Sequence, residues 1–231
     1  MSAPEPVDVT LVAESYTRLR EAVSHVVVGQ EEALRLCFVT FACSAHSLIE
    51  GVPGLAKTLL VRSLAAAIGV RSGRVQFTPD LMPSDIIGTP VLQPASGEVR
   101  FRPGPLFTDL LLADEINRAS AKTQAALLEA MQERCATVDG VGHPLGPHFT
   151  VFATQNPVEQ EGTYPLPEAE LDRFLFKIAM DYPSEAEERA LLGRHHADDA
   201  PPSSIPRVTG AGALDALRNR VRSVLVGGAT V

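Results

Sequence analysis

The stretch that decides the fold is Gly51-Val52-Pro53-Gly54-Leu55-Ala56-Lys57-Thr58. It lies between a buried strand predicted over Ser47–Glu50 and a helix predicted over Lys57–Ile68, which is the setting of a phosphate-binding loop. Small side chains let backbone N–H groups point at phosphate oxygens, and the helix N-terminus adds a favourable dipole. Lys57 supplies a positive charge to the β- and γ-phosphates, and the Thr58 hydroxyl is a ligand for Mg²⁺. The stretch therefore predicts a site for ATP and Mg²⁺.

Ala56 stands where the phosphate-loop pattern has a glycine, immediately before the lysine. Its methyl group is tolerated there if the backbone φ is negative, the region that L-residues with a Cβ prefer. The stretch is still predicted to bind phosphate despite this departure. The competing interpretation is a glycine-containing turn followed by an exposed lysine.

A second segment, Leu110–Glu115, is an apolar run that ends in two carboxylates. The unbroken run before Asp114 is typical of a strand covered on both faces. Such a strand delivers its last residues to the ligand edge of a sheet, where Asp114 would hold Mg²⁺, directly or through water. Glu115 would then act as the general base on the attacking water. Alone, the pair would more often be a solvated helix cap, but the preceding phosphate loop favours catalysis.

Two further polar residues are candidates for the reaction. Asn156 follows a strand predicted over Phe149–Thr154, and its amide could orient the water beside the γ-phosphate. An Asn before a proline is also an ordinary turn starter. Arg173 ends a short predicted helix, and its guanidinium could act in trans on the ATP of a neighbouring subunit. Its alternative is a local pair with Asp172 or Glu170.

Predicted strands and helices alternate along the chain, which indicates an α/β fold with a parallel sheet, helices on both faces and a ligand beyond the carboxyl ends of the strands. Further strands are predicted over Arg74–Phe77 and Phe174–Met180, with a hairpin over Pro90–Arg102. Further helices are predicted from Leu11 to near Gly29, over Gln30–Ala45 and over Glu168–Arg173. Another helix is predicted from the N-cap Ser120 to Gln132, with Leu127, Leu128 and Met131 facing inward. A last one is predicted from a capping box at Ser184–Glu187 to about His196.

The chain divides into four predicted parts. Residues 1–9 form a short N-terminal tail, residues 10–196 the ATPase core, and residues 197–210, rich in Pro, Asp, Ser and Gly, a linker. Residues 211–231 hold one further helix, at about Ala213–Val224. Because an amphipathic helix needs a partner for its apolar stripe, it either packs on the core or belongs to a helical domain whose remainder is missing.

Composition restricts the class of protein. The 231 residues include 45% hydrophobic residues, enough for a sizeable core, and the net charge of −8 argues against a general nucleic-acid-binding surface. The N-terminus has no signal-peptide pattern, and no apolar stretch is long enough to cross a bilayer comfortably, so a cytoplasmic protein without membrane insertion is expected. The three cysteines and six histidines show no metal-ligand spacing.

Five segments together resemble successive signatures of the MoxR family of AAA+ ATPases. They are Gly51–Thr58, Phe77–Gly88, Leu111–Arg118, Lys122–Glu133 and Ala153–Arg173, and the resemblance covers roughly Val28–Pro183. It implies an α/β P-loop NTPase (AAA+) fold of the helix-2-insert type, related to magnesium chelatase ATPase subunits. In such a fold a parallel sheet is flanked by helices, the predicted hairpin is the insert, and residues 211–231 begin a truncated C-terminal helical lid. Alanine before the loop lysine is usual in the family.

The resemblance also implies a role for each matching residue. Lys57 and Thr58 match Walker A, Asp114 and Glu115 match Walker B, Asn156 matches sensor 1, Arg173 matches the arginine finger, and Gly29 and Gln30 match the segment that passes the adenine. The expected ATP-binding set is Gly29, Gln30, Gly51, Val52, Pro53, Gly54, Leu55, Ala56, Lys57, Thr58 and Asp114, with Thr58 and Asp114 on Mg²⁺. No motif assigns the sensor 2 arginine of a complete lid.

For the whole protein, the resemblance implies a chaperone-like remodeller or activator of protein complexes. The resemblance implies assembly into a ring, which is expected to be a hexamer. The expected partners are a protein client and a protein bearing a von Willebrand factor A domain, and no nucleic acid is expected. One alternative is a nucleotide-binding assembly subunit with little hydrolysis, because the lid is incomplete. Another is a DNA-translocating relative, which the acidic charge balance disfavours.

Overall fold

Strands and helices alternate through most of the computed structural model, which describes residues 10–94, 97–158, 162–185, 187–189, 205–208 and 211–224. The strands are β1 (Ser47–Glu50), β2 (Ser72–Gln76), β3 (Gly88–Leu92), β4 (Val99–Pro103), β5 (Leu110–Asp114), β6 (Cys135–Val138), β7 (Val141–Pro144), β8 (Thr150–Gln155) and β9 (Phe176–Ala179). The helices are α1 (Thr10–Ser24), α2 (Glu31–Ala42), α3 (Lys57–Ile68), α4 (Pro83–Ile87), α5 (Ala121–Glu133), α6 (Glu168–Leu171) and α7 (Ala211–Arg222).

The core sheet has five parallel strands in the order β2-β5-β8-β1-β9, which confirms the predicted α/β fold with a parallel sheet. All five residues of β5 are buried, as an unbroken apolar run requires. Leu110 and Leu112 face a cluster that includes α1, α2 and α3. Leu111 and Ala113 face the opposite cluster, with α5. The two-residue period of the strand therefore fills both faces of the sheet.

Several local predictions are confirmed. β1 and α3 have the predicted bounds, and Ser120 caps α5 by accepting a hydrogen bond from the backbone N–H of Thr123. The three α5 side chains predicted to face inward, Leu127, Leu128 and Met131, are buried. The capping box is also present, because the Glu187 carboxylate accepts from the backbone N–H of Ser184 at 2.7 Å and the Glu187 N–H donates to the Ser184 hydroxyl at 3.4 Å.

Other bounds differ from the prediction. The first helix ends at Ser24 rather than near Gly29, because the chain turns before Val27 and that residue packs in the core outside the helix. The hairpin at Pro90–Arg102 is present but wider, as β3 and β4 pair from Gly88↔Pro103 to Leu92↔Val99. The remaining predicted strands and the short helix before β9 agree with the structure to within a few residues.

A second hairpin, β6–β7, was not predicted. Its turn is Asp139-Gly140, and both residues have positive φ, 50° and 79°. Asp-Gly between two short strands is a strong signal for a tight hairpin turn, because both central residues must adopt the left-handed region. The signal was therefore present in the sequence.

The C-terminal residues that the structure describes, 205–208 and 211–224, pack on the core. Ile205 is buried, and the Val208 N–H donates to Ala67 O at 2.8 Å. Leu214 and Leu217 of α7 join the cluster of α1, α2 and α3. Arg218 donates to Phe41 O and Pro147 O at the N-terminal edge of the sheet, opposite the end at which the carboxylates lie. The helix thus packs on the core, which was one of the two alternatives.

Three predicted features lie wholly or mostly outside the described residues: the tail at 1–9, the linker at 197–210, of which only 205–208 are described, and the end of the helix expected to reach His196. The division into core, linker and partial lid stays a prediction. None of the helices described here combines the length and apolarity needed to span a membrane.

Candidate active site

The candidate residues gather at the carboxyl edge of the sheet. β5, β8 and β1 are neighbours and run parallel, so Asp114, Gln155 and Glu50 end at one edge. The phosphate-loop stretch follows β1, Glu115 follows β5 and Asn156 follows β8. Ligands of open parallel α/β sheets bind beyond this edge.

The loop between β1 and α3 is tightly constrained at Gly51. A Cβ atom at that position would lie 2.9 Å from Met180 O, so a side chain would clash with the backbone after β9. Gly54 has a φ of +90°, which a glycine adopts without steric cost. Gly51 is therefore required for the close approach of the loop to the backbone after β9, and Gly54 for its positive φ.

Ala56 has a φ of +58° and a ψ of 25°, so the condition of a negative φ is not met. The loop turns into α3 through the left-handed region, where an alanine costs roughly 1–2 kcal/mol. The cost is compatible with the fold because α3 buries Leu60, Val61 and Leu64 directly afterwards.

Lys57 is the first residue of α3, and its ammonium donates to Gly51 O at 2.5 Å. Burial lowers the pKa of Lys57, while the nearby carboxylates of Asp114 and Glu115 act in the opposite direction and raise it. The lysine and the two carboxylates therefore lie within electrostatic range of one another. Thr58 follows in the first turn of α3 and is half-buried.

The Asp114 carboxylate is bound by two side chains from neighbouring strands. Its Oδ1 accepts from the Thr154 hydroxyl at 2.6 Å, and its Oδ2 accepts from Arg74 Nη2 at 2.6 Å and Nε at 3.1 Å. The Asp114 side chain is only 11% exposed. A buried carboxylate needs such partners to remain ionised at low cost.

Glu115 lies in the left-handed region at a φ of +57°, which is uncommon for a residue with a side chain and often marks functional sites. Its N–H donates to the Thr154 hydroxyl at 2.9 Å. Its Oε2 accepts from Gln76 Nε2 at 2.8 Å and from Arg118 Nη1 at 3.2 Å. Glu115 is thus held by the ends of β2 and β8 and by the turn that follows β5.

Four residues of this network were not among the sequence candidates: Arg118 in the turn after β5, and Arg74, Gln76 and Thr154 near the ends of strands. The signal that could have marked the last three is the polar side chain near the end of a strand, at a position where the neighbouring strand ends in a carboxylate. The sequence does not contain the pairing of β2 with β5, which places Gln76 opposite Asp114.

Asn156 is 8% exposed, and its Oδ1 accepts from the Val158 N–H at 3.2 Å, as in a turn. It also lines a cavity of about 350 Å³ with Asn117 and Gln155. The turn interpretation and a position at the carboxyl edge are therefore both compatible with the structure.

Arg173 lies away from these residues. Its guanidinium donates to the side-chain carbonyl of Gln132 at the end of α5. In the described part of the chain it makes no ion pair with Asp172 or Glu170, so the proposed local pair is absent there. Because the Arg173 side chain is exposed, it is accessible to a neighbouring molecule.

A second cavity, of about 280 Å³, adjoins the phosphate loop and is lined by Val28, Gln30, Leu59 and Tyr182 among others. The Gln30 side chain donates to Asp181 O at 3.0 Å. Gly29 has a φ of +75°, and a Cβ atom there would lie 3.1 Å from Pro183 Cβ. The predicted adenine segment thus borders an apolar cavity beside the loop.

The donor set suits Mg²⁺ held mostly by nucleotide. Thr58 and Asp114 offer a hydroxyl and a carboxylate, both hard oxygen donors. Among the described residues, no group of three or more His, Cys, Asp and Glu side chains could hold a metal ion by itself. Mg²⁺ commonly binds through one or two protein oxygens together with phosphates and water, so these residues fit that ion.

Comparison with known proteins identifies the family. The profile described as "ATPase family associated with various cellular activities (AAA)" matches residues 46–176, and the chain is 50% identical over 186 residues to "Chaperone MoxR1" of Mycobacterium tuberculosis. The chain belongs to the MoxR family of AAA ATPases. As a family member it has the P-loop NTPase fold, and its family implies nucleotide binding.

Two further proteins are similar to this chain. The chain is 52% identical over 172 residues to "Uncharacterized protein YeaC" of Bacillus subtilis, covering 74% of this chain and 54% of that protein. The match to MoxR1 covers 80% of this chain and 49% of MoxR1. A crystal structure of a presumed ATPase from Cytophaga hutchinsonii superposes with a TM-score of 0.83 at 39% identity, covering 94% of this chain and 67% of that one. The MoxR-family chain thus spans about half the length of these two curated relatives.

Proposed function

We propose that this chain is the Mg²⁺-dependent ATP-hydrolysing core of a chaperone-like machine that remodels or activates protein complexes. The observation that supports it best is the position of Lys57, Asp114 and Glu115 at the carboxyl edge of one parallel sheet, where Lys57 begins the helix after β1, Asp114 ends β5 and Glu115 follows it. These are the charges that phosphoryl transfer needs, for the phosphates, the metal ion and the attacking water.

In the proposed reaction, backbone N–H groups of the Gly51–Thr58 loop and the Lys57 ammonium bind the β- and γ-phosphates. Lys57 then exchanges Gly51 O for phosphate oxygens. Thr58 and Asp114 would hold Mg²⁺, which neutralises charge on the phosphates when bound. The Gly29–Gln30 segment and its apolar cavity would take the adenine.

Glu115 acts as the general base on the attacking water, and Asn156 orients that water. Glu115 is supported in this role by its position immediately after Asp114 and by the donors that fix its carboxylate. Such a base contributes about 10²–10⁴-fold to a rate.

Arg173 completes the site of a neighbouring subunit in a ring, expected to be a hexamer. The exposed guanidinium supports this role, because its own-chain partner is the neutral side chain of Gln132 rather than a carboxylate. We further propose a cytoplasmic protein that acts on a protein client, with a partner bearing a von Willebrand factor A domain and without nucleic acid.

The test is ATP hydrolysis with Mg²⁺ across a series of protein concentrations. Glu115→Gln is expected to retain ATP binding and to lose at least about 10²-fold in turnover, whereas Glu129→Gln on the exposed face of α5 serves as its matched control. Arg173→Ala is expected to abolish the rise of specific activity with concentration, and Arg18→Ala on α1 controls for loss of a surface arginine.

Undiminished turnover in Glu115→Gln would remove that residue from its role. ATP binding without turnover at any wild-type concentration would favour the alternative of a nucleotide-binding assembly subunit. Stimulation of turnover by DNA would favour a DNA-translocating relative.

A further inference from the structure

Arg74 lies on β2, one of the two edge strands of the described sheet, two residues before Gln76 on the same face. Its guanidinium reaches across to the end of β5 and donates from Nη2 and Nε to the same oxygen, Asp114 Oδ2. The Arg74 side chain is 48% exposed, whereas that of Asp114 is 11% exposed. A largely buried carboxylate is thus paired with a cation that still has access to solvent.

The two contacts occupy the accepting capacity of that oxygen. A carboxylate oxygen has about two lone-pair sites, and Arg74 uses both on Oδ2. The Thr154 hydroxyl uses one site on Oδ1. Lys57 also lies near Asp114, but its ammonium donates to Gly51 O. Among the described residues, Arg74 is therefore the cation that forms an ion pair with Asp114.

We propose that Arg74 is the resident counter-ion of Asp114 and competes with Mg²⁺ for it, so that Arg74 sets the Mg²⁺ concentration at which the site binds nucleotide. The inference rests on the proposed function, because it assumes that Asp114 serves Mg²⁺. It assigns to Arg74 a positioning role rather than contact with the reacting atoms.

Electrostatic repulsion between the two cations predicts that Arg74 weakens Mg²⁺ binding at Asp114. A guanidinium and a divalent cation that share one carboxylate repel each other strongly even at an effective dielectric constant of about 20. The guanidinium also donates to Gln76 Oε1, so moving it away from Asp114 breaks that contact as well. The move remains feasible, since in the described part of the sheet β2 has no neighbouring strand on its outer side and the Arg74 side chain is already half in solvent. Without either cation, the buried charge of Asp114 would lack direct compensation.

The experiment measures binding of a fluorescent, non-hydrolysable ATP analogue to the 231-residue chain while free Mg²⁺ is varied from zero, in EDTA, to millimolar concentrations. The variants are Arg74→Met, Arg74→Gln and Arg74→Lys. Arg71→Met is the matched control, because Arg71 precedes the same strand and pairs with Asp109 at 3.1 Å at the opposite end of β5. Circular dichroism spectra verify that each variant is folded.

In Arg74→Met and Arg74→Gln, the Mg²⁺ midpoint is expected to fall about tenfold, the scale of one exposed charge-assisted contact. Affinity in EDTA should fall, since Asp114 then has neither cation and its negative charge repels the phosphates. Arg74→Lys keeps the charge and should remain within about threefold of the wild type. Arg71→Met should leave the midpoint unchanged.

An unchanged or higher Mg²⁺ midpoint in both neutral variants would overturn the counter-ion role while leaving the proposed function in place. If the wild-type chain bound no analogue at any Mg²⁺ concentration, the proposed function itself would fail, and the Arg74 inference with it.

Discussion

His46 makes the stability of the folded chain sensitive to mild acid. It is 7% exposed, its Nδ1 accepts from the Val151 N–H at 2.9 Å, and its ring meets the edge of Phe149 at a centroid distance of 5.6 Å. Burial, and secondarily the charge of Arg134, lowers the pKa of His46 from 6.5 to about 4. A protonated Nδ1 could not accept the Val151 hydrogen bond, so the folded state requires the neutral ring.

The sign and the size of this pH effect on stability follow from the linkage between protonation of His46 and folding. The pKa of His46 is lower in the folded state, so the unfolded chain binds the proton first. The stability that the neutral ring contributes is therefore fully present above pH 6.5 and is lost as the pH falls towards 4. Each pKa unit corresponds to about 1.36 kcal/mol, so lowering the pH from 7.5 to 5 should cost about 2 kcal/mol.

The measurement is urea unfolding of the wild type, His46→Asn and the control His25→Gln at both pH values. Asn keeps an acceptor for the Val151 N–H but does not titrate, so the variant should be less stable at pH 7.5 and should lose about 2 kcal/mol less than the wild type between the two pH values. His25 is exposed, and its variant should follow the wild type. The same pH dependence in the wild type and His46→Asn would refute the reasoning.

Three further variants test separate features. Lys57→Ala should abolish ATP binding, because it removes the loop's positive charge; unchanged affinity in a fluorescence titration would refute the phosphate-loop assignment. Ala56→Gly should raise the free energy of unfolding by about 0.5–1 kcal/mol, since glycine relieves the left-handed strain at a φ of +58°; a loss of stability in urea would contradict this. Arg218→Met should cost about 1–3 kcal/mol, because Phe41 O and Pro147 O lose a buried donor, and should speed amide hydrogen exchange in α7; unaltered exchange would show that Arg218 does not hold the helix.

Predictions that depend on a few adjacent residues agree best with the structure. The strand before the phosphate loop, the helix after it and the Ser120 cap have the predicted positions, since side-chain period and capping act within a turn or two. The condition of a negative φ at Ala56 is not met, and no local sequence pattern indicates the left-handed conformation found there. The β6–β7 hairpin was missed although its Asp-Gly turn is local.

The candidate site was predictable in part. Lys57, Thr58, Asp114, Glu115 and Asn156 follow strands, so a parallel sheet was enough to bring them to one edge. Their roles stay predictions.

The sequence by itself determined the class of fold, the loop and the two carboxylates at the end of an apolar strand, because each is encoded in neighbouring residues. Only the tertiary structure decided which side chains hold those carboxylates. Arg74 reaches Asp114 across 40 positions, and Arg218 reaches Phe41 across 177. Alternating strands and helices predict a parallel sheet but not its order, and it is the order β2-β5-β8-β1-β9 that places Arg74 beside Asp114.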